Sequence, residues 1–294
     1  MKIRFGVSLG ADTGPEQLGA VVDRLEAADV DSLWFSELVY SKAVDPFVGM
    51  AFALGRTRRL KVGTSVAVLP GGRHPVLVAK QLASLAALGP KRVLPAFGLR
   101  SAIPAEREIF AVPDGKRAAV FDESLQLVRA ALRGDDVDFA GDFFTVTGAS
   151  VGSSSAPPLD IWLGGSAPAA FRRIGRYGDG WLGSFLTPDE AGRAREQIQA
   201  EAAEAGREIE PDHFGISLAV ADGGLTDEMA AGIRSRRPDV DPTDLVAGDW
   251  SDLHRQLDGY IAAGLTKFVI RPAGAGGVDE FLDRFIAELL PREN

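Results

Sequence analysis

The chain of 294 residues contains no cysteine and only three histidines, three methionines and three tyrosines. Without cysteine there is no disulfide, no thiolate metal site and no cysteine nucleophile, and nothing points to an oxidising compartment. His74, His213 and His254 are scattered and make no metal-ligand spacing. No apolar run approaches the roughly 20 residues that span a bilayer. The first residues, Met1-Lys2-Ile3-Arg4-Phe5-Gly6, alternate like a strand and lack the apolar core of a signal peptide. The cytoplasm is therefore the expected compartment. Also missing are a GxSxG elbow, a Walker loop and a GxGxxG turn after a strand, which removes the commoner hydrolase, NTPase and dinucleotide-binding readings. A net charge of -9 repels phosphate backbones and anionic lipid. Nucleic acid and membranes are thus poor partners, and a small-molecule substrate fits better.

What is present is the balance of a soluble globular protein. With 46% hydrophobic and 25% charged residues, the chain has enough apolar area to fill a large core. Short apolar runs alternate with amphipathic stretches throughout, the pattern of βα units around a parallel sheet. Eight units are countable, with strands expected at 3–9, 32–36, 61–69, 92–98, 159–163, 180–184, 213–221 and 266–271. The expected architecture is a single α/β domain over residues 1–294, a (β/α)8 TIM barrel. Helix starts are marked at Thr13-Gly14-Pro15-Glu16, Asp45-Pro46 and His74-Pro75, and a stop at Gly89-Pro90. After strand four an insertion holds helical stretches at 104–110 and 116–132. A small β-hairpin follows, with arms 137–139 and 143–147 turning at Gly141-Asp142. Residues 148–158 read as an exposed loop and 222–249 as a mobile polar stretch.

Ligands of such a barrel bind at the carboxyl ends of its strands. That rule selects Ser8, Ser36, Glu37, Ser65, Gly98, Arg100, Gly164, Gly165 and Arg271. Gly164-Gly165-Ser166 opens a helix, so free N–H groups and the helix dipole there suit a phosphate; a glycine pair is also what any tight βα turn uses. Arg172, Arg173 and Arg176 on that helix read as solvated surface charges. Glu37 can serve as a general acid or base if burial tunes it, or as a capping or ion-pairing carboxylate. His74, before Pro75, is a helix-start residue and a candidate for substrate contact.

Several stretches together resemble the bacterial luciferase-like flavin and deazaflavin oxidoreductases along nearly the whole chain. They are Asp31-Ser32-Leu33-Trp34-Phe35-Ser36-Glu37, Lys61-Val62-Gly63-Thr64-Ser65-Val66, Arg73-His74-Pro75, Ile161-Trp162-Leu163-Gly164-Gly165-Ser166 and Asp179-Gly180-Trp181. The Gly63-Thr64-Ser65-Val66 form is closer to the branch using the deazaflavin coenzyme F420 than to the FMN monooxygenases. The resemblance implies a homodimeric oxidoreductase with a flavin-type cofactor across the barrel mouth, F420 or alternatively FMN. It implies contacts from Ser36, Ser65, Val66, Gly98, Gly164, Gly165, Ser166 and Gly180, with Glu37 catalytic and Arg271 and His74 towards substrate. It also implies a cis peptide between Ser65 and Val66. Many relatives have histidine after the acidic residue of strand two, where this chain has Leu38. Either Glu37 takes over proton transfer or the chemistry is hydride transfer alone; a cofactor-binding protein without catalysis is the reading from another class.

Overall fold

The computed structural model describes residues 2–11, 13–101, 103–152, 158–274 and 276–294. The first units are β1 (Arg4–Ser8), α1 (Pro15–Ala27), β2 (Ser32–Phe35), α2 (Pro46–Arg56), β3 (Lys61–Thr64), β4 (Ala67–Val68) and α3 (Pro75–Leu88). Next come β5 (Val93–Leu94), β6 (Ala96–Gly98), α4 (Arg117–Leu132), and β7 (Val137–Ala140) with β8 (Thr145–Ala149). After them run β9 (Trp162–Gly164), α5 (Pro168–Tyr177), β10 (Gly180–Ser184), α6 (Pro188–Glu204), β11 (Phe214–Val220), α7 (Asp227–Arg236) and α8 (Pro242–Leu245). The last are β12 (Val246–Ala247), α9 (Trp250–Ala262), β13 (Lys267–Pro272) and α10 (Val278–Leu289). Proline opens α1, α2, α3, α5, α6 and α8. Its φ suits the first helical position, and its missing N–H would be unpaired there in any case.

The sheet closes on itself. β3 pairs β5 and β4 pairs β6, all parallel, with Ser65-Val66 and Pro95 as the breaks within two longer strands. Counting those halves as strands three and four, and β12 as an addition to β11, the eleven-stranded sheet is a ring of eight. It is the α/β barrel expected. Proline explains one break, since Pro95 has no N–H for the ladder. Thr64 repairs the gap: its Oγ1 accepts from the Ala96 N–H at 2.7 Å and donates to the Ala96 carbonyl at 2.5 Å.

Side chains alternate in and out of the ring, and two indoles, Trp34 and Trp162, fill its middle edge to face at 6.3 Å. Glycine makes room for both: a Cβ on Gly63 would lie 2.6 Å from the Trp34 ring, and one on Gly180 2.5 Å from the Trp162 ring. At the amino-terminal end of the strands, buried Asp31 takes the ammonium groups of Lys61 and Lys267. Burial opposes ionisation there, but the two cations outweigh it and hold the Asp31 carboxyl at about 2.

Four expectations are corrected. The hairpin's second arm is β8, Thr145–Ala149, and not 143–147. Phe143 and Phe144 belong to the turn because the buried Glu123 carboxylate accepts the N–H groups of Asp142, Phe143 and Phe144 at 2.7–2.9 Å. Of the helical stretch at 104–110, a single 3-10 turn, Pro104–Glu106, forms. The stretch 222–249 is ordered as α7, α8 and β12, around a small core of Ile233, Leu245 and Val246. Arg173 is buried against Asp122 and the Phe121 ring, tying α5 to α4. The expected exposed loop at 148–158 overlaps residues 153–157, which lie outside the described residues. Among the described residues no helix is long and apolar enough to cross a membrane.

Candidate active site

The floor of the barrel mouth is built where strands two to five end. The Ser65–Val66 peptide is cis, as the resemblance implied. The break lifts Val66 across the mouth until its methyl groups face two glycines. A Cβ on Gly98 would lie 2.6 Å from Val66 Cγ2, and one on Gly164 3.2 Å from Val66 Cγ1. Ser36 Oγ donates to the Ser65 carbonyl at 3.0 Å, and the Glu37 N–H to that of Val66 at 3.4 Å. Ser36, Glu37, Ser65, Val66, Gly98 and Gly164 are thus brought together into one patch.

Beside it, Gly165 has φ of 136°, a region that side chains rarely adopt, and a Cβ there would meet Ala170 Cβ at 2.6 Å. The Trp181 indole N–H holds the Gly165 carbonyl at 2.9 Å. Gly165 leads into exposed Ser166 and the amino end of α5, whose N-cap, Ala167, offers no side-chain cap. Pro168 brings no N–H and the Ala170 N–H is taken by the Ala167 carbonyl at 2.8 Å, so the Ala169 N–H is what this ten-residue helix offers an anionic oxygen at the rim.

Glu37 is buried and both its oxygens are engaged. Oε2 accepts the Val68 N–H at 2.6 Å and Oε1 accepts Arg73, which also pairs with Asp45 at 2.7 Å and lies over the Phe47 ring at 4.8 Å. The carboxylate therefore clamps the second half of strand three to α2. Arg73 stood in the sequence only as the neighbour of His74; nothing local marks it as the partner of a residue 36 positions away. Glu106 was also missed. Fully buried, it accepts the Tyr40 N–H at 2.8 Å and the Ser101 hydroxyl at 2.7 Å, and so joins the loops after strands two and four. A lone glutamate in a loop has no periodicity to reveal it.

Two expected residues fall elsewhere. Gly180 begins β10, away from the mouth, and serves to admit Trp162, so its place among the cofactor contacts is corrected. His74 caps α3, its Nδ1 accepting from the Val76 N–H at 3.3 Å, and stands edge-on to Phe144 at 5.4 Å. It lies three strands around the ring from Arg271. Arg271, near the carboxyl end of β13, has no hydrogen-bond or ion-pair partner among the described residues. Burial and the neighbouring Arg236 charge lower its pKa from the ordinary value. After β10, Phe185 is held in the left-handed region at φ of 55°, with its carbonyl taken by Arg237 at 2.7 Å. Such backbone strain in a non-glycine residue concentrates at ligand sites.

The profile of the family described as Luciferase-like monooxygenase matches residues 1–232. The chain belongs to this family. It is an oxidoreductase family, and the chain is 35% identical to an uncharacterized protein of Mycobacterium tuberculosis over 206 residues, 70% of this chain and 67% of the relative. It is 28% identical to the F420-dependent glucose-6-phosphate dehydrogenase of Beutenbergia cavernae, covering 99% of this chain and 97% of that one. In fold it is similar to an F420-dependent secondary alcohol dehydrogenase solved with an F420–acetone adduct. The TM-score is 0.83 at 17% identity, over 100% of both chains.

Proposed function

We propose that this luciferase-like protein is a coenzyme F420-dependent oxidoreductase that transfers a hydride between the deazaflavin and a small organic substrate, working in the cytoplasm as a single-domain homodimer. The observation that carries the reading is the patch of Val66, Gly98 and Gly164 beside the amino end of α5, which has no side-chain cap. A planar ring would lie against the first, where Val66 packs into the space that two missing Cβ atoms leave, and a phosphate suits the second. Ser36, Ser65 and Val66 would back the ring, and Gly164, Gly165 and Ser166 would hold the phosphate. When bound, the coenzyme supplies the hydride chemistry; the chain binds, orients and excludes water. Glu37 is a positioning residue in this reading, since its oxygens are occupied by Val68 and Arg73. Arg271, whose side chain has no partner among the described residues, is offered to a substrate oxygen.

Side-by-side titration of the purified protein with F420 and FMN is the test. Saturable F420 binding at least tenfold tighter than FMN is expected; tighter FMN binding with oxygen-consuming turnover would establish the monooxygenase alternative instead. The dimer is supported by apolar side chains on the outer faces of α2 and α3: Val48, Phe52, Leu77 and Leu88, the last 64% exposed. An exposed cluster of that kind marks a contact surface.

A further inference from the structure

We infer that the substrate of this site carries a carboxylate, received by the Arg271 guanidinium and the Ser8 hydroxyl on the wall of the mouth across from the Val66 patch. The inference rests on the oxidoreductase reading above and adds the substrate class. Alternation along the strands settles where the two side chains stand. On β13, Lys267 reaches Asp31 and Val269 packs with Trp34 and Trp162 inside the ring, so Arg271, next on that face, points into the mouth. On β1, a Cβ on Gly6 would lie 2.6 Å from the Trp34 indole nitrogen, so Ser8 is the next inward residue. The register of β1 with β13 pairs Gly6 with Val269 and Val7 with Ile270, which makes Ser8 and Arg271 the next neighbours. Strands one and eight of the ring lie opposite strands three to five, where the patch is.

Both groups lack a partner among the described residues. Ser8 is 1% exposed, and its Oγ is buried without a hydrogen bond. Arg271 is partly buried and has neither a hydrogen bond nor an ion pair. Phe185 and Ala273 pack on the same small core as Ile233 of α7, which brings Arg236, the last residue of that helix, to this quarter. Its guanidinium carbon lies 5.7 Å from the centre of the Phe185 ring. Burial first, and then the Arg236 charge, disfavours the Arg271 cation, and a bound anion offsets both. A buried hydroxyl and a half-buried cation left unpaired destabilise the free protein; an anion that takes both gains what they lack. The Arg271 fork gives a carboxylate two parallel N–H bonds, Ser8 adds an O–H, and one cation on the wall matches one negative charge. A phosphate dianion would need a second cation in contact. Arg236 is exposed and serves to draw anions towards the mouth.

Calorimetric titration of the full chain with benzoate, with and without F420, tests the site. Saturable binding is expected, with none for the neutral isostere benzamide and weaker binding of phenyl phosphate. Arg271→Gln should weaken benzoate at least tenfold and Ser8→Ala at least threefold. Neither variant should melt below wild type, because neither side chain bonds to the described protein. Benzamide binding as tightly as benzoate, phenyl phosphate binding more tightly, or full benzoate affinity in both variants overturns the inference. So does a lowered melting temperature in both variants, which would make the pair structural. Competition between benzoate and F420 would give the pair to the coenzyme's own acidic groups and overturns it too. Because benzoate needs no coenzyme, a failed F420 titration with intact benzoate binding strikes the coenzyme reading alone. F420 binding without benzoate binding strikes this one.

Discussion

Single residues set the mouth's geometry by what they lack as much as by what they carry. Gly165 is required twice over, by its φ of 136° and by the Ala170 Cβ that a side chain would strike. Gly165→Val should weaken F420 binding more than tenfold, about 1.4 kcal/mol, in a titration of the folded variant; unchanged affinity would reduce the glycine to turn geometry. Glu37 separates binding from proton transfer. If it clamps strand three, Glu37→Gln, which keeps the shape and one acceptor, should lower F420 affinity through a loosened Val68 and Arg73 while leaving the pH profile of turnover unchanged. A lost ionisation in that profile would return Glu37 to acid–base work. The sequence pointed to Glu37 as a residue at a strand end, but its partners lie 31 and 36 residues away and only the closed ring brings them together.

At the scale of elements, the hairpin shows how one buried side chain overrides local preference. Phe143-Phe144-Thr145-Val146-Thr147 has the residue types of a strand, yet Glu123 of α4 draws three consecutive N–H groups and turns the first two residues into a loop. Gly141 accommodates this, since a Cβ there would run into the same carboxylate. Glu123→Ala should cost about 1–3 kcal/mol for the buried bonds it removes. Amide exchange at residues 142–144 should rise, and fluorescence-detected F420 binding should be less affected than in Gly165→Val. Protection unchanged at those amides would show that the turn holds itself. The stretch after β11 carries the complementary lesson. Its polar surface hides the spaced residues Met229, Ile233 and Leu245, which need the end of β11 and Phe185 to pack against.

Over the whole molecule, charge and apolar surface are divided between the two ends and the flank of the ring. The amino-terminal end is closed by Asp31 with Lys61 and Lys267. A carboxyl held at about 2 in the folded state instead of the ordinary 3.8 contributes stability that is complete above pH ~4 and lost as pH falls towards about 2. The size is roughly 2 kcal/mol by the usual 1.36 kcal/mol per unit. Thermal melts across that range should show wild type losing this increment and Asp31→Asn, already destabilised, lacking it; parallel pH dependence in both would show that Asp31 is not the group responsible. On the flank, Phe52→Glu should convert a dimer to a monomer in light scattering at micromolar concentration. A wild-type monomer would remove the dimer reading.

The sequence by itself determined the succession of strands and helices, because hydrophobic period, proline starts and glycine stops are local properties of a few neighbouring residues. It also determined the family, through the short runs around Ser36, Gly63, Arg73 and Gly164, and with them the cis bond at Val66. The tertiary structure decided what depends on distant residues meeting. It decided that Glu37 is saturated, that Glu106 joins two loops, that Gly180 yields to an indole and that Glu123 shifts a strand by two residues. Each of these turns on a hydrogen bond or a van der Waals contact between side chains placed by the closure of the ring, and no pattern along the chain encodes which distant atoms that closure brings within reach.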